Sequence, residues 1–246
     1  MEQMISFEFA IFLLGTFVAA LVTGVAGFAF GLIAAAIWLY ALTPIQTTAL
    51  IVSYGLLVQA YGVWKLRHSL EIGRLIPLIA GSAIGVPFGI LILRWIPPAY
   101  LRTAIGGLLI LFSLYNLFRP TLPSMKRTGR TGDAAAGFIN GVVGGSTGLA
   151  GIVIVIWSSL RGWQRDEQRA AFQPTGVATF LLTLFALGGT GSIDNEMIKL
   201  FGWGLPTLIV GTWAGWWLYG RLDEAKFRKV VLALLLISGI GLIIRI

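Results

Sequence analysis

The chain has 246 residues, 57% of them hydrophobic and only 11% charged, with a mean hydropathy of +0.87, a composition that excludes a soluble globular domain and marks an integral membrane protein. Its net charge of +8 would suit nucleic acid in a soluble chain, but the charges lie between apolar runs, where the membrane surface accounts for them, so no nucleic-acid partner is expected. Cysteine is absent, which removes disulfides, thiol catalysis and thiolate metal ligation.

Nothing charged lies between Phe9 and Trp64, a run far longer than the roughly 20 residues of one span. Residues 1–5 carry no basic residue and the apolar run outlasts any usual h-region, so a cleaved signal peptide is not expected. The first half divides into apolar segments 5–23, 28–43, 45–64, 75–93 and 101–118. Between the first two lies a glycine-rich break, TGVAGFAFG at 23–31. His68, the one histidine, stands among Lys65, Arg67 and Arg74 and reads as a loop residue, because a metal site needs several converging ligands. Residues 119–133, RPTLPSMKRTGRTGD, have the Pro, Gly and charge content of a surface linker.

The second half repeats this order in segments 134–143, 147–160, 170–189, 198–220 and 229–245. Its break, NGVVGGSTG at 140–148, follows the first by 117 residues and aligns Gly24, Gly27 and Gly31 with Gly141, Gly144 and Gly148. Further along, IPLIAGSAIG at 76–85 reads like LPTLIVGTWAG at 205–215. The organisation is therefore a first membrane repeat, 1–118, a cytoplasmic linker, 119–133, and a second membrane repeat, 134–246, intertwined as one domain.

Residues 134–160 are too few for two full crossings, so they form either one long crossing or a hairpin returning to its own side. With a hairpin, the loops 65–74, 119–133, 161–169 and 221–229 share one face and hold 14 of the 18 Lys and Arg residues. A single crossing would divide those residues evenly, so the positive-inside rule favours the hairpin. Five segments with one hairpin give an odd number of crossings and invert the second repeat. The expected fold is an all-α integral membrane protein of two inverted-topology repeats, each of five apolar segments and opened by a glycine-rich re-entrant helical hairpin, with about eight near full-length spans. Both termini then lie on the outer face.

In the bilayer an unpaired peptide group costs several kcal/mol, so irregular backbone persists only where protein or a water-filled cavity satisfies it. Paired breaks in inverted repeats commonly hold the substrate near the midplane. The alternative use of the same glycines is close helix packing. Second arms are expected to begin near Phe28 and Ser146, and helix N-termini there would offer amides and a partial positive charge to an anion. The candidate site comprises Thr23, Gly24, Gly27 and Phe28 from the first break, and Asn140, Gly141, Gly144, Gly145, Ser146 and Thr147 from the second. Thr23 and Asn140 would form a pseudo-symmetric polar pair. Ser146 and Thr147 suit N-capping equally well. Gln173 joins the site because Pro174 follows it and would release a backbone carbonyl inside a continuing helix. Gln59 is read as an interhelical amide, and Arg169 and most of the nine tryptophans as interfacial anchors. No nucleophile, carboxylate pair or metal cluster stands inside a segment, so neither an enzyme nor a cofactor or metal site is expected.

The glycine-rich breaks, the Leu42-Thr43-Pro44 turn entering the next segment, the proline-glycine segments, the cluster of Gly144, Gly145 and Gly148, and QRAAFQP at 168–174 together resemble the TauE/SafE family of sulfite and organosulfonate transporters. The resemblance covers nearly the whole chain. It implies a multi-pass protein of the bacterial inner membrane that moves a small sulfur-containing anion, such as sulfite, a sulfonate or a related carboxylate. No carboxylate relay crosses the segments, so coupling would run through H⁺ on a protonatable substrate or through Na⁺ at carbonyls freed by the breaks. A passive anion channel and a non-transporting assembly subunit remain the alternatives, and the exposed glycine-aromatic faces are compatible with a homodimer.

Overall fold

The computed structural model describes residues 2–26, 29–66, 71–118, 129–218, 221 and 223–244. They form ten α-helices and, among the described residues, no strand: α1 (Glu2–Ala26), α2 (Phe30–Trp38), α3 (Pro44–Leu66), α4 (Ile72–Trp95), α5 (Pro98–Phe118), α6 (Arg130–Thr147), α7 (Ile152–Leu160), α8 (Arg165–Gly189), α9 (Asn195–Leu218) and α10 (Glu224–Ile244). Helices are what an apolar chain adopts when lipid cannot satisfy its peptide groups. Phe7–Val25, Ile72–Trp95, Pro98–Phe118 and Glu167–Gly189 are long and apolar enough to cross a membrane. Each half of the chain gives one long helix, one of nine residues, then three long ones. His68, Gly27, Phe28 and most of the linker lie outside the described residues.

The helices form two compact units, 1–51 with 96–120 and 194–246, and 52–95 with 121–193. In the first unit α1 and α9 cross through glycine. A Cβ added to Gly24 would lie 2.7 Å from the Thr212 carbonyl and 2.8 Å from Gly215 Cα, and one on Gly211 would lie 2.7 Å from the Phe17 carbonyl. Contact positions rise together along both helices, so α1 and α9 run parallel. The helices α5 and α10 meet through Gly106 and Gly239, where an added Cβ on either would lie 2.7 Å from the other's carbonyl oxygen. Gly106 also faces Ile243, and Gly239 faces Ile110; those crossed contacts make the pair antiparallel. The short α2 folds back along α1: buried Trp38 donates its Nε1–H to the Phe12 carbonyl at 3.1 Å and packs on the rings of Phe12 and Phe30 at 5.3 and 6.0 Å. From α10, the Ser238 hydroxyl donates to the Ala36 carbonyl at 2.6 Å.

The second unit is built on α4 and α6, also parallel. Gly81, Gly85 and Gly89 of α4 abut the carbonyls of Ala134, Phe138 and Val142, while Gly137, Gly141 and Gly145 of α6 abut Leu78, Ser82 and Val86. Glycine every fourth residue on both partners removes the side chains that would hold the backbones apart. The helix α7 folds back along α6: Trp157 donates to Asp133 Oδ1 at 2.8 Å, and Arg161 Nε approaches the same oxygen at 3.8 Å. Beneath lie Leu78, Ala136, Ile154 and Ala171, covered by Trp157, Trp163 and Phe172. Residues 130–160 thus make a helical hairpin whose end returns to the level of its start. At that end Arg74 pairs with Glu71 at 2.7 Å and Glu167 at 3.0 Å, and the Trp163 ring sits 5.1 Å from the Arg74 guanidinium and 5.9 Å from that of Arg161.

Candidate functional site

Each unit contains one hairpin whose second arm starts at a left-handed residue. In the first unit that residue is Ala29, with φ 81°, and no side chain caps α2. A non-glycine residue in this region carries a strain of about 1–2 kcal/mol. The first-turn amides of α2, at Phe30, Gly31 and Leu32, precede the first intrahelical bond, from Ile33 N–H to the Ala29 carbonyl at 3.1 Å. Thr23 is buried three residues before the end of α1, and its hydroxyl donates to the Ala19 carbonyl at 2.7 Å, in its own helix. Gly24, beside it, belongs to the α1–α9 crossing.

In the second unit α6 continues through Ser146 and Thr147, so neither starts the second arm. The Ser146 hydroxyl donates back to the Val142 carbonyl at 2.8 Å and that of Thr147 to Val143 at 2.7 Å. Gly148, with φ 74°, stops the helix and donates its N–H to the Gly144 carbonyl at 2.8 Å. Such a left-handed C-terminal glycine closes a helix rather than opening one. The arm α7 begins at Ile152 behind Gly151, whose φ of 104° is open only to glycine at low cost. Here too no side chain caps α7, and its first intrahelical bond runs from Val155 N–H to the Gly151 carbonyl. The amides of Ile152, Val153 and Ile154 form its first turn.

Asn140 holds this break. Fully buried, it accepts the Gly151 N–H on Oδ1 at 2.7 Å and donates Nδ2–H to Ser82 of α4 at 3.3 Å and Thr179 of α8 at 3.2 Å. One side chain thereby ties α6 to the start of α7, to α4 and to α8. Gly144 faces the same region, where an added Cβ would meet Thr179 at 2.7 Å and Ala150 at 2.9 Å. Gly141 and Gly145 turn the other way, into the α4 contact, which is the packing use of glycine.

Helix ends pair Ala26 with Thr147, Phe30 with Ile152 and Trp38 with Leu160, which slips the expected alignment by one helical turn. The packing agrees: Gly24 meets Thr212 and Gly215 as Gly145 meets Val86 and Gly89. Gly24 therefore corresponds to Gly145, and Thr23 to Gly144. Thr23 and Asn140 do not form an equivalent pair.

Gln173 and Gln59 are half-buried, and the Oε1 of each is without a partner. Gln59 Oε1 lies against Gly176, 2.5 Å from where a Cβ would stand, and Phe172 lies 3.8 Å from the equivalent point on Gly151. Sequence reasoning missed Ser82, Gly151 and the face of α8 formed by Thr175, Thr179 and Thr183, all fully buried. Four-residue spacing of threonine in an uncharged segment was the available signal. Arg169 is exposed. Trp213, Trp216 and Trp217 face outward on α9, between 57% and 66% exposed.

The family model for the sulfite exporter TauE/SafE matches residues 11–242. The chain belongs to that family of membrane transporters. Comparison with curated proteins and with solved structures gave no match.

Proposed function

We propose that this TauE/SafE protein is a secondary transporter of a small sulfur-containing oxyanion, sulfite or a sulfonate, working by alternating access. The observation that carries the reading is the pair of nine-residue helices, α2 and α7, in the same place in each half, each opening without a side-chain cap. A dehydrated anion is stabilised by amides at a helix start and by the helix dipole, and needs no cationic side chain.

An inverted repeat of five helices is part of this reading. Its support is the antiparallel contact of α5 with its sequence counterpart α10, as a two-fold axis in the membrane plane would produce. The hairpin of α6 and α7 suits a re-entrant element, since Asp133 and Arg161 stand at one level. The meeting of Arg74, Arg161 and Glu167 at that end suits the basic cytoplasmic face inferred from loop charge, which leaves both termini outside. In this arrangement each break would offer contacts of its own, the first-turn amides of Gly31 and Leu32 in the first unit and those of Ile152, Val153 and Ile154, with Gly144 and Thr147, in the second, and the 119–133 linker would join the repeats.

Counterflow tests it. Purified protein reconstituted in liposomes loaded with unlabelled sulfite should take up radiolabelled sulfite faster than unloaded liposomes, and uptake should saturate. Uptake that neither saturates nor responds to internal sulfite would overturn the carrier reading.

A further inference from the structure

One buried hydroxyl beside the second break makes no hydrogen bond. Thr175 of α8 is fully buried, and among the described residues its Oγ1 has no partner. Thr16, Thr23 and Thr179 each donate to the carbonyl four residues back in their own helix, at 2.7 Å, whereas Thr175 leaves that local acceptor unused. A buried donor without an acceptor is costly, so the position calls for a group that the neighbouring residues do not supply.

Where this hydroxyl points follows from its neighbours on α8. At 3.6 residues per turn Ala171, Phe172, Thr175 and Thr179 fall within an arc of about 100°, with Thr175 inside it. The other three all meet the start of α7. Ala171 shares a buried cluster with Ile154, and Phe172 lies 3.8 Å from where a Cβ would stand on Gly151. Gly144 stands between Thr179 and Ala150, its own Cβ point 2.7 Å from one and 2.9 Å from the other. Thr179 also accepts from Asn140, whose Oδ1 takes the Gly151 N–H. From Thr179 to Ala171 this face therefore runs past residues 150–154, which turns Thr175 toward the first turn of α7. There is room at that point, since among the described residues Phe172 alone comes within 4 Å of the Gly151 Cβ position.

Resting on the transport reading, we propose that Thr175 is a substrate-binding residue, its hydroxyl donating to one oxygen of the oxyanion whose other oxygens are held by the first-turn amides of α7. Donors then reach the anion from two helices. That arrangement suits the three pyramidal oxygens of a sulfite or sulfonate better than the two coplanar oxygens of a carboxylate. A hydrogen bond to a charged acceptor corresponds to about ten- to a hundredfold in affinity.

Equilibrium binding of sulfite to the purified full chain in detergent tests the assignment. Thr175→Val keeps the shape and removes the hydroxyl, and should weaken sulfite at least about tenfold. Its melting temperature should not fall, because the hydroxyl has no bond within the protein to lose. Thr175→Ser, which restores the donor, and Thr183→Val, which removes another unpartnered hydroxyl two turns further along, should both stay within about threefold of wild type. Sulfite binding that Thr175→Val leaves unchanged, or that Thr175→Ser weakens equally, refutes the role. Because Thr175→Val could fail to fold, the selectivity of the wild-type protein is the second measurement: methanesulfonate should bind at least about ten times more tightly than acetate, and the lack of that preference also refutes it. Sulfite counterflow separates this residue from the transport reading. Undiminished counterflow by Thr175→Val removes the hydroxyl's role and keeps the carrier, whereas hydroxyl-dependent sulfite binding without counterflow keeps the site and removes the carrier.

Discussion

Asn140→Leu is expected to destabilise the protein by about 2–4 kcal/mol. The largest part is the Gly151 N–H, which loses its acceptor at 2.7 Å beside a backbone that cannot rotate away without giving up the left-handed turn; an orphaned buried donor costs about 1–3 kcal/mol. The two Nδ2 bonds contribute less. Ser82 and Thr179 still donate to the Gly137 carbonyl at 3.0 Å and the Thr175 carbonyl at 2.7 Å, and interhelical bonds of this kind average about 0.6 kcal/mol in membrane proteins. Asn140→Asp should recover most of the loss, because a buried carboxyl held in its neutral form keeps one acceptor and one donor. Unfolding in a denaturing detergent series, followed by tryptophan fluorescence, gives both differences. Asn140→Leu within about 0.5 kcal/mol of wild type would refute the claim that this side chain holds the break.

Two further substitutions separate glycine used for packing from backbone strain. Gly85→Ala, whose new Cβ would strike the Phe138 carbonyl, should cost about 2–3 kcal/mol by forcing α4 from α6, whereas Gly107→Ala, with nothing within 4 Å, should be neutral or stabilising by up to about 1 kcal/mol in the same assay. Ala29→Gly should stabilise the first hairpin by about 0.5–1 kcal/mol, the left-handed strain relieved less the extra freedom of an unfolded glycine, read as a rise in melting temperature.

The second helical hairpin was legible because bilayer thickness and loop charge constrain 134–160 without reference to any partner, whereas the first was expected only by analogy with it. The point where each arm begins was not. A glycine that stops a helix and one that packs it against a neighbour are the same letter, and in 140–148 both uses occur within one turn: Gly145 lies against Gly89, and Gly148 turns left-handed. Ser146 and Thr147 sharpened the ambiguity, since a hydroxyl that caps the next helix and one that bonds back into its own helix have the same sequence. Asn140 was legible as a polar residue inside an apolar segment, but its partners Ser82 and Thr179 stand 58 and 39 residues away, and no local pattern connects them.

What Asn140 does in the second hairpin has no side-chain counterpart among the described residues of the first. The packing equivalence of Gly24 with Gly145 places Ala19 at the corresponding turn of α1, where its carbonyl receives the Thr23 hydroxyl. One break is braced by a buried amide bonded to three helices, the other opens at a strained alanine. Thr23, Asn140, Ser146 and Thr147 all bond within the protein, so on the proposed reading substrate contact falls to backbone amides at the starts of α2 and α7, joined at α7 by the Thr175 hydroxyl. Substitutions at Thr23, Asn140, Ser146 or Thr147 should therefore move stability before they move affinity. A variant at any of these four that lowers sulfite affinity tenfold at unchanged melting temperature would locate substrate contact in its side chain and contradict this division between scaffold and binding groups.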